Sequence, residues 1–287
     1  MKNIIKSVIA VILIIFCSSA KAQTKSSKLQ NSLLWEVSGN GLEKPSYLYG
    51  TIHMICGPDY FLSEKTKKAF DAANKLVLEI NFADPTEMGY MQKMAMGKQP
   101  LSKLLNPEQF SKLNEILKNT TGMTAQQVDS FSLMTVMSLI TMKTFGCADI
   151  KLYEMEFIEM AKKRNIQIGG LETVKSQFSV LENAYTNDEM IAMLGESNQN
   201  ETAKLVTAYK SENIDDLFNM VTDKRFTSEN TKKIILDQRN LSWIKEMPQM
   251  MKTESVFFAV GAGHLGGEFG VINLLRKAGY SVKPVMN

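Results

Sequence analysis

The chain holds two histidines in 287 residues, and both sit in the same local pattern. In Tyr47-Leu-Tyr-Gly50-Thr-Ile-His53 an apolar run reaches a glycine, and histidine follows three residues later. Phe257-Phe-Ala-Val-Gly261-Ala-Gly-His264 repeats the pattern near the far end. Each apolar run reads as a strand, and glycine at its end permits a tight or left-handed turn. Imidazole is the side chain that titrates nearest neutrality, and it is the commonest metal ligand. Each unit therefore reads as a device that aims an imidazole into the crevice beyond a sheet edge. The plainer alternative is a pair of satisfied loop histidines.

The first 22 residues read as a leader rather than as part of the fold. Lys2 and Lys6 give a basic start, Val8 to Cys17 is apolar, and Ala20-Lys-Ala22 is an A-x-A cleavage signal. The apolar run is too short to span a membrane comfortably. A lipoprotein signal ending at Cys17 is the weaker reading, because Phe16 stands where a small residue is needed. Export, to the periplasm or outside the cell, is the expected destination, with no transmembrane segment left after cleavage.

Removing the leader removes three lysines and no acid, so 33 − 3 = 30 bases face 30 acids in the remaining 265 residues. A balanced chain offers no electrostatic case for nucleic acid or an anionic membrane. Residues 23–31 are polar and expected to be unstructured. The absence of a linker or a repeat from 32 to 287 points to one domain. Cys56 and Cys147 remain, and an exported protein with two cysteines is expected to bridge them. A bridge there would tether the loop that carries His53.

Strand and helix signals alternate, which defines an α/β chain. Leu33–Ser38 and Ser46–Gly50 read as an antiparallel pair across Gly39-Asn-Gly41. Lys75–Ile80 is a further strand with a carboxylate, Glu79, inside an apolar run. If that strand is covered on both faces, Glu79 must be paired, hydrogen-bonded or metal-bound. If it is an edge strand, Glu79 faces solvent. From Asp84 to about Met160 the chain reads as helical. Its start signals are Asp84-Pro, Asn106-Pro-Glu-Gln109 and Thr124-Ala-Gln-Gln127. The methionines of this section, such as Met88, Met91, Met94, Met134 and Met137, recur at helical spacing and read as core filling rather than as copper ligands. A groove for a partner helix or peptide is a lesser form of the same reading.

Asn165–Leu171 reads as a short strand that ends in Glu172, either a site carboxylate or an acid at a helix start. Arg239 and Trp243 share a helix face, and taken alone they read as a surface pair. Pro248 is expected to end that helix. The Gly261-Ala-Gly263-His-Leu-Gly266 stretch fits a dinucleotide fingerprint in spacing only. No acid follows Glu268, so the nucleotide reading fails. What survives is a glycine-rich turn with backbone N–H groups for an anion or oxyanion.

The residues thus supply two imidazoles and one or two carboxylates at strand ends. Two His and a carboxylate with an open position suit a catalytic divalent metal. The same groups without a metal make a His–Glu acid–base pair, and spacing does not separate the two.

Leu34-Trp-Glu-Val, Tyr47 to His53, Leu78-Glu79, Gly170-Leu-Glu172-Thr, Arg239-Asn240 with Trp243, and Ala259 to His264 together resemble, in order, the TraB/PrgY/GumN family. That family is similar to the Tiki metalloproteases. This resemblance implies a metal-dependent peptidase built on two Gly-x-x-His motifs and a glutamate. It is also similar to erythromycin-esterase and ChaN-like haem-uptake folds, which implies a mixed β-sheet core flanked by helices, here with a large helical middle section. Carried over by position, His53, Glu79 and His264 would hold a divalent Mn, Co or Zn ion. Glu172 would be a possible base, with Arg239 and Asn240 orienting ligands or substrate. Three functions follow: a hydrolase of peptides or proteins, a non-catalytic binder of a peptide, haem or metal ion, and a metal-free esterase.

Overall fold

The structure is a computed structural model and describes residues 28–286. The expected leader and residues 23–27 lie outside the described residues. Of the remaining polar segment, Leu29 is buried against the main core.

Six strands form one mixed sheet in the order β6-β4-β7-β2-β1-β8. They are β1 (Leu34–Ser38), β2 (Ser46–Thr51), β4 (Lys75–Ile80), β6 (Gln167–Glu172), β7 (Val256–Gly261) and β8 (Ser281–Pro284). β2, β7, β4 and β6 are mutually parallel, while β1 pairs antiparallel with both β2 and β8. The β1–β2 hairpin turns where expected, through Gly39, Asn40 and Gly41, all at positive φ. β4 and β7 are central. Their runs Leu76-Val-Leu and Val256-Phe-Phe-Ala-Val are fully buried, as parallel strands covered on both faces must be. Phe70, Phe157, Phe257 and Tyr49 pack as a ring cluster on one face.

Two short strands, β3 (Met54–Cys56) and β5 (Ile150–Leu152), pair antiparallel outside the main sheet. The Cys56–Cys147 disulfide closes the same corner, with its Cα atoms 6.0 Å apart. β5 interrupts the section expected to be helical from Asp84 to Met160, because these residues extend to pair with the strand that leaves His53.

The middle section packs as a second cluster of helices around Leu113, Leu117, Val136, Ile140 and Leu194. The capping boxes at Asn106 and Thr124 form with both partners, although the second opens a 3₁₀ turn rather than an α-helix. The methionines depart from the core reading. Met88, Met96, Met142 and Met155 are exposed, and Met134 and Met137 only line the cluster's edge. Leucine, isoleucine and valine fill this core instead. Among the described residues, Met190 is the one methionine buried in it; Met94, Met96 and Met134 stay on the rim, where with Met190 they line an open cavity of about 700 Å³.

The last long helix, Gln238–Thr253, runs through Pro248 rather than stopping there. A proline removes one ladder hydrogen bond, and burial of Trp243, Met247 and Met251 holds the helix together across the gap. A π-turn, Lys233–Asp237, precedes it. Among the described residues no helix is long and apolar enough to cross a membrane.

Candidate active site at the carboxyl ends of four parallel strands

The four parallel strands end on the same side of the sheet, and each delivers one residue there. β2 leads to His53, β4 ends at Glu79-Ile80, β6 ends at Glu172, and β7 leads to His264. Glu172 sits in register with Ile80. Ligand sites in open α/β sheets form at such carboxyl ends. Distances of tens to hundreds of residues in sequence thus collapse into one crevice.

The glycines of the two motifs act through space rather than through φ. Gly50 and Gly261 both have ordinary negative φ, and His53 itself takes the left-handed conformation at φ 61°. For a residue with a Cβ that is a strained backbone. It is held by β3 immediately after it and by the Tyr153 N–H, which donates to the His53 carbonyl at 2.9 Å. A Cβ on Gly50 would collide with Leu265 and Ala262, the turn that leads to the second histidine. A Cβ on Gly261 would stand 3.1 Å from His53 Nε2 and 3.2 Å from Glu79 Oε1. Glycine at 261 therefore leaves open the small space on which those two atoms converge.

His53 is oriented by a residue the sequence did not suggest. Glu154 Oε1 accepts from His53 Nδ1 at 2.7 Å and from the Thr51 hydroxyl at 2.9 Å. Nε2 is therefore the nitrogen presented to the crevice, the usual work of a carboxylate behind a histidine. Desolvation by the crevice lowers its pKa, but the Glu154 carboxylate, with Glu79 further off, raises it to about 9. The side chain keeps 56% of its accessible surface, and solvent screens the pair accordingly. No sequence signal marks Glu154, which reads as one more acid in the first turn of a helix.

His264 has the opposite surroundings. It is buried, its ring lies 4.4 Å from that of Trp243, and its Nδ1 lies 2.6 Å from Asn240 Oδ1. The Asn240 amide nitrogen donates to the carbonyls of His264 and Phe269, so its oxygen is the acceptor for Nδ1–H. Nε2 is then a lone pair, and Arg239 Nη1 donates to it at 2.9 Å. Arginine has no acceptor to offer, so this tautomer is fixed. Burial first, and then the nearby guanidinium, lower the pKa to about 3, with Glu79 pulling the other way.

Arg239 is the hub. Its Nε and Nη2 donate to the two oxygens of Glu172 at 2.8 and 3.1 Å. Nη2 also donates to Glu79 Oε2 at 2.5 Å, and Nη1 to the Ile235 carbonyl of the π-turn at 3.1 Å. With His264, all five N–H groups of the guanidinium are engaged. Glu172 also accepts from the Trp243 indole at 2.8 Å and from Gln177 at 3.4 Å. The reading of Arg239 and Trp243 as a surface pair is thus corrected: Trp243 is buried and the guanidinium lies within 5.1 Å of its ring.

Glu79 is buried in a central strand, which excludes the edge-strand alternative. Its Oε2 takes Arg239 and, at 3.1 Å, Gln177. Its Oε1 accepts the Gly261 N–H at 2.7 Å and stands 4.0 Å from His264 Nε2. Burial opposes ionisation of this carboxyl, but His264, Arg239, His53 and the Gly261 amide hold it well below the usual range. The glycine-rich turn thus spends its first N–H on an internal carboxylate, and the next helix starts only at Val271. A 3₁₀ turn, Ala262–His264, lies between the strand and that helix.

A family model described as TraB/PrgY/gumN matches residues 33–284, and the chain belongs to that family. Among curated proteins, Metalloprotease TIKI1 of Danio rerio is 24% identical, covering 93% of this chain and 65% of the relative. Metalloprotease TIKI1 of Xenopus tropicalis is 23% identical over 92% and 63%. A Metalloprotease TIKI homolog of Nematostella vectensis is 22% identical over 89% and 67%. The chain spans about two thirds of the length of these relatives.

The relatives' name implies a divalent ion, and the donor atoms fit one in part. His53 Nε2 and Glu79 Oε1 face the same small space, and two carboxylates against one guanidinium leave a net negative charge around Arg239. His264 Nε2 is already engaged by Arg239. Among the described residues, no three His, Cys, Asp or Glu side chains are grouped to hold an ion.

Proposed function

We propose that the protein is an exported hydrolase of peptide bonds whose reacting centre is the space beside Gly261. The observation that carries this reading is the convergence of His53 Nε2 and Glu79 Oε1 on that space, at 3.1 and 3.2 Å from one point. Those two atoms would hold a divalent Mn, Co or Zn ion, which when bound polarises a carbonyl and acidifies water. The Gly261 amide takes one lone pair of Glu79 Oε1 and fixes its direction, leaving the other for the ion. With Nε2 given to the ion, His53 is the neutral tautomer whose Nδ1–H Glu154 holds, so the pair aims the ligand. Glu172, saturated by Arg239, Trp243 and Gln177, serves to hold Arg239 rather than to act as the base. Asn240 holds the neutral His264 ring. The Cys56–Cys147 bridge suits a protein that works outside the reducing cytoplasm.

The test is a peptide-library digest with each of the three ions, comparing the wild type with His53→Ala and with the His53→Ala, His264→Ala double variant. Cleavage that disappears in both supports the reading, and cleavage that persists undiminished in the double variant removes it. A second reading, a non-catalytic binder, draws on the apolar methionine-lined cavity of about 700 Å³. Haem titration with no Soret change, together with peptide turnover, would exclude its haem form.

A further inference from the structure

Arg239 is held as a fixed part of the site rather than as a loose surface cation. Its five donors meet Glu79, Glu172, His264 and a π-turn carbonyl. Glu172 is pinned in turn by the Trp243 indole. The His264 lone pair would be the natural third donor for an ion held by His53 and Glu79, and it is the atom that Arg239 covers. A guanidinium carries the same sign of charge as the ion it would face, and it binds Glu79 through the oxygen remote from Gly261.

We infer that Arg239 and a divalent ion compete for His264 Nε2, so that the intact site binds its ion through His53 and Glu79 alone and His264 joins only when Arg239 is withdrawn. This deepens the proposed function, since it rests on the same crevice. It assigns to Arg239 the task of holding the ion loosely and His264 neutral. An ion with two protein ligands keeps most of its coordination positions for water and substrate.

The presence of only two histidines makes this directly measurable. The whole chain, purified without a histidine tag and labelled with nitrogen-15 in histidine, gives four ring-nitrogen signals. Zinc ion is the probe. In the wild type, zinc is expected to displace the His53 Nε2 signal and leave both His264 nitrogens where they were. In Arg239→Met, His264 Nε2 is expected to move together with His53 Nε2. Affinity should rise on the order of tenfold or more, because a like charge has left the ion's neighbourhood. Removing that charge strands two buried carboxylates, so Arg239→Lys serves as the variant that keeps the charge but loses the fork. There too, His264 should join. Simultaneous movement of both histidines in the wild type overturns the inference, as does an unmoved His264 in both folded variants. The readout is ligation rather than turnover, so a failed peptide screen would leave it standing and would count against the proposed function alone.

Discussion

The two Gly-x-x-His turns share a sequence grammar and end in opposite chemistry. His53 lies at the mouth of the crevice on a left-handed backbone, with a carboxylate behind it and a pKa raised to about 9. His264 lies under Trp243 with an amide behind it, a guanidinium in front and a pKa lowered to about 3. Near neutral pH one is a cation and the other a neutral acceptor. The motif positions an imidazole at a strand end, and its second neighbour decides what that imidazole does. That neighbour comes from a helix remote in sequence: Glu154 in one case, Asn240 and Arg239 in the other.

The largest expected break in this contrast is Arg239→Ala. Removing the shared partner of two buried carboxylates should cost about 3–5 kcal/mol of stability, read as a lower denaturant midpoint. The His264 pKa should rise at the same time, since burial still lowers it but the guanidinium no longer adds to that, and ring-nitrogen spectra would show this. Unchanged stability would mean that the guanidinium network is not held as described. Next comes Cys56→Ser with Cys147→Ser. The bridge closes a loop with a sequence separation of 91 residues, and losing it should cost about 2–4 kcal/mol. It should also loosen β3 against β5 and so detach His53 from Glu154. His264, held by Asn240 and Arg239 on the last long helix, should be unaffected. Equal disturbance of both histidines would argue against separate supports.

Much of the sheet was legible because its strands are short, apolar and bounded by Gly, Pro and Asn. Glu79, inside Leu76-Val-Leu-Glu-Ile, stood out because a carboxylate in a doubly covered strand demands a partner. The site could be assembled from strand ends because that is where parallel sheets place their ligands. Glu154 and Gln177 were not legible, since each is an ordinary polar residue near a helix start until the chain folds over the crevice. Trp243 was read with the wrong face because i,i+4 spacing tells which residues are neighbours and says nothing of which side is buried. Pro248 failed as a stop signal because tertiary packing of Met247 and Met251 outweighs one missing hydrogen bond. The methionines held as core markers only in part: Met134, Met137 and Met160 pack against the cores, while Met88, Met96, Met142 and Met155 are exposed, because spacing fixes a helix face and branched side chains fill the interior better than thioethers do.

The smallest effect is also the one that tests both turns at once, through pH. The ordinary histidine pKa is about 6.5. His53 has a raised value, so the folded state binds more protons than the unfolded chain between about 6.5 and 9. Its contribution is fully present below that window and is lost as pH rises through it. His264 has a lowered value, so the unfolded chain binds more protons between about 3 and 6.5. Its neutral burial costs nothing at neutral pH and destabilises progressively as pH falls through that window. The two histidines therefore tilt stability in opposite directions on either side of about pH 6.5. Glu154→Gln separates them. It removes the charge that raises His53, so that ring's titration should move down from about 9, and the alkaline slope should flatten. The acid limb set by His264 should stay in place. The stability change should be under about 1 kcal/mol, because the His53 ring keeps more than half of its surface in solvent, which screens the pair. Ring-nitrogen titration of the two histidines resolves the limbs individually. If both midpoints move together in Glu154→Gln, the two turns form a single coupled unit and the contrast drawn between them falls.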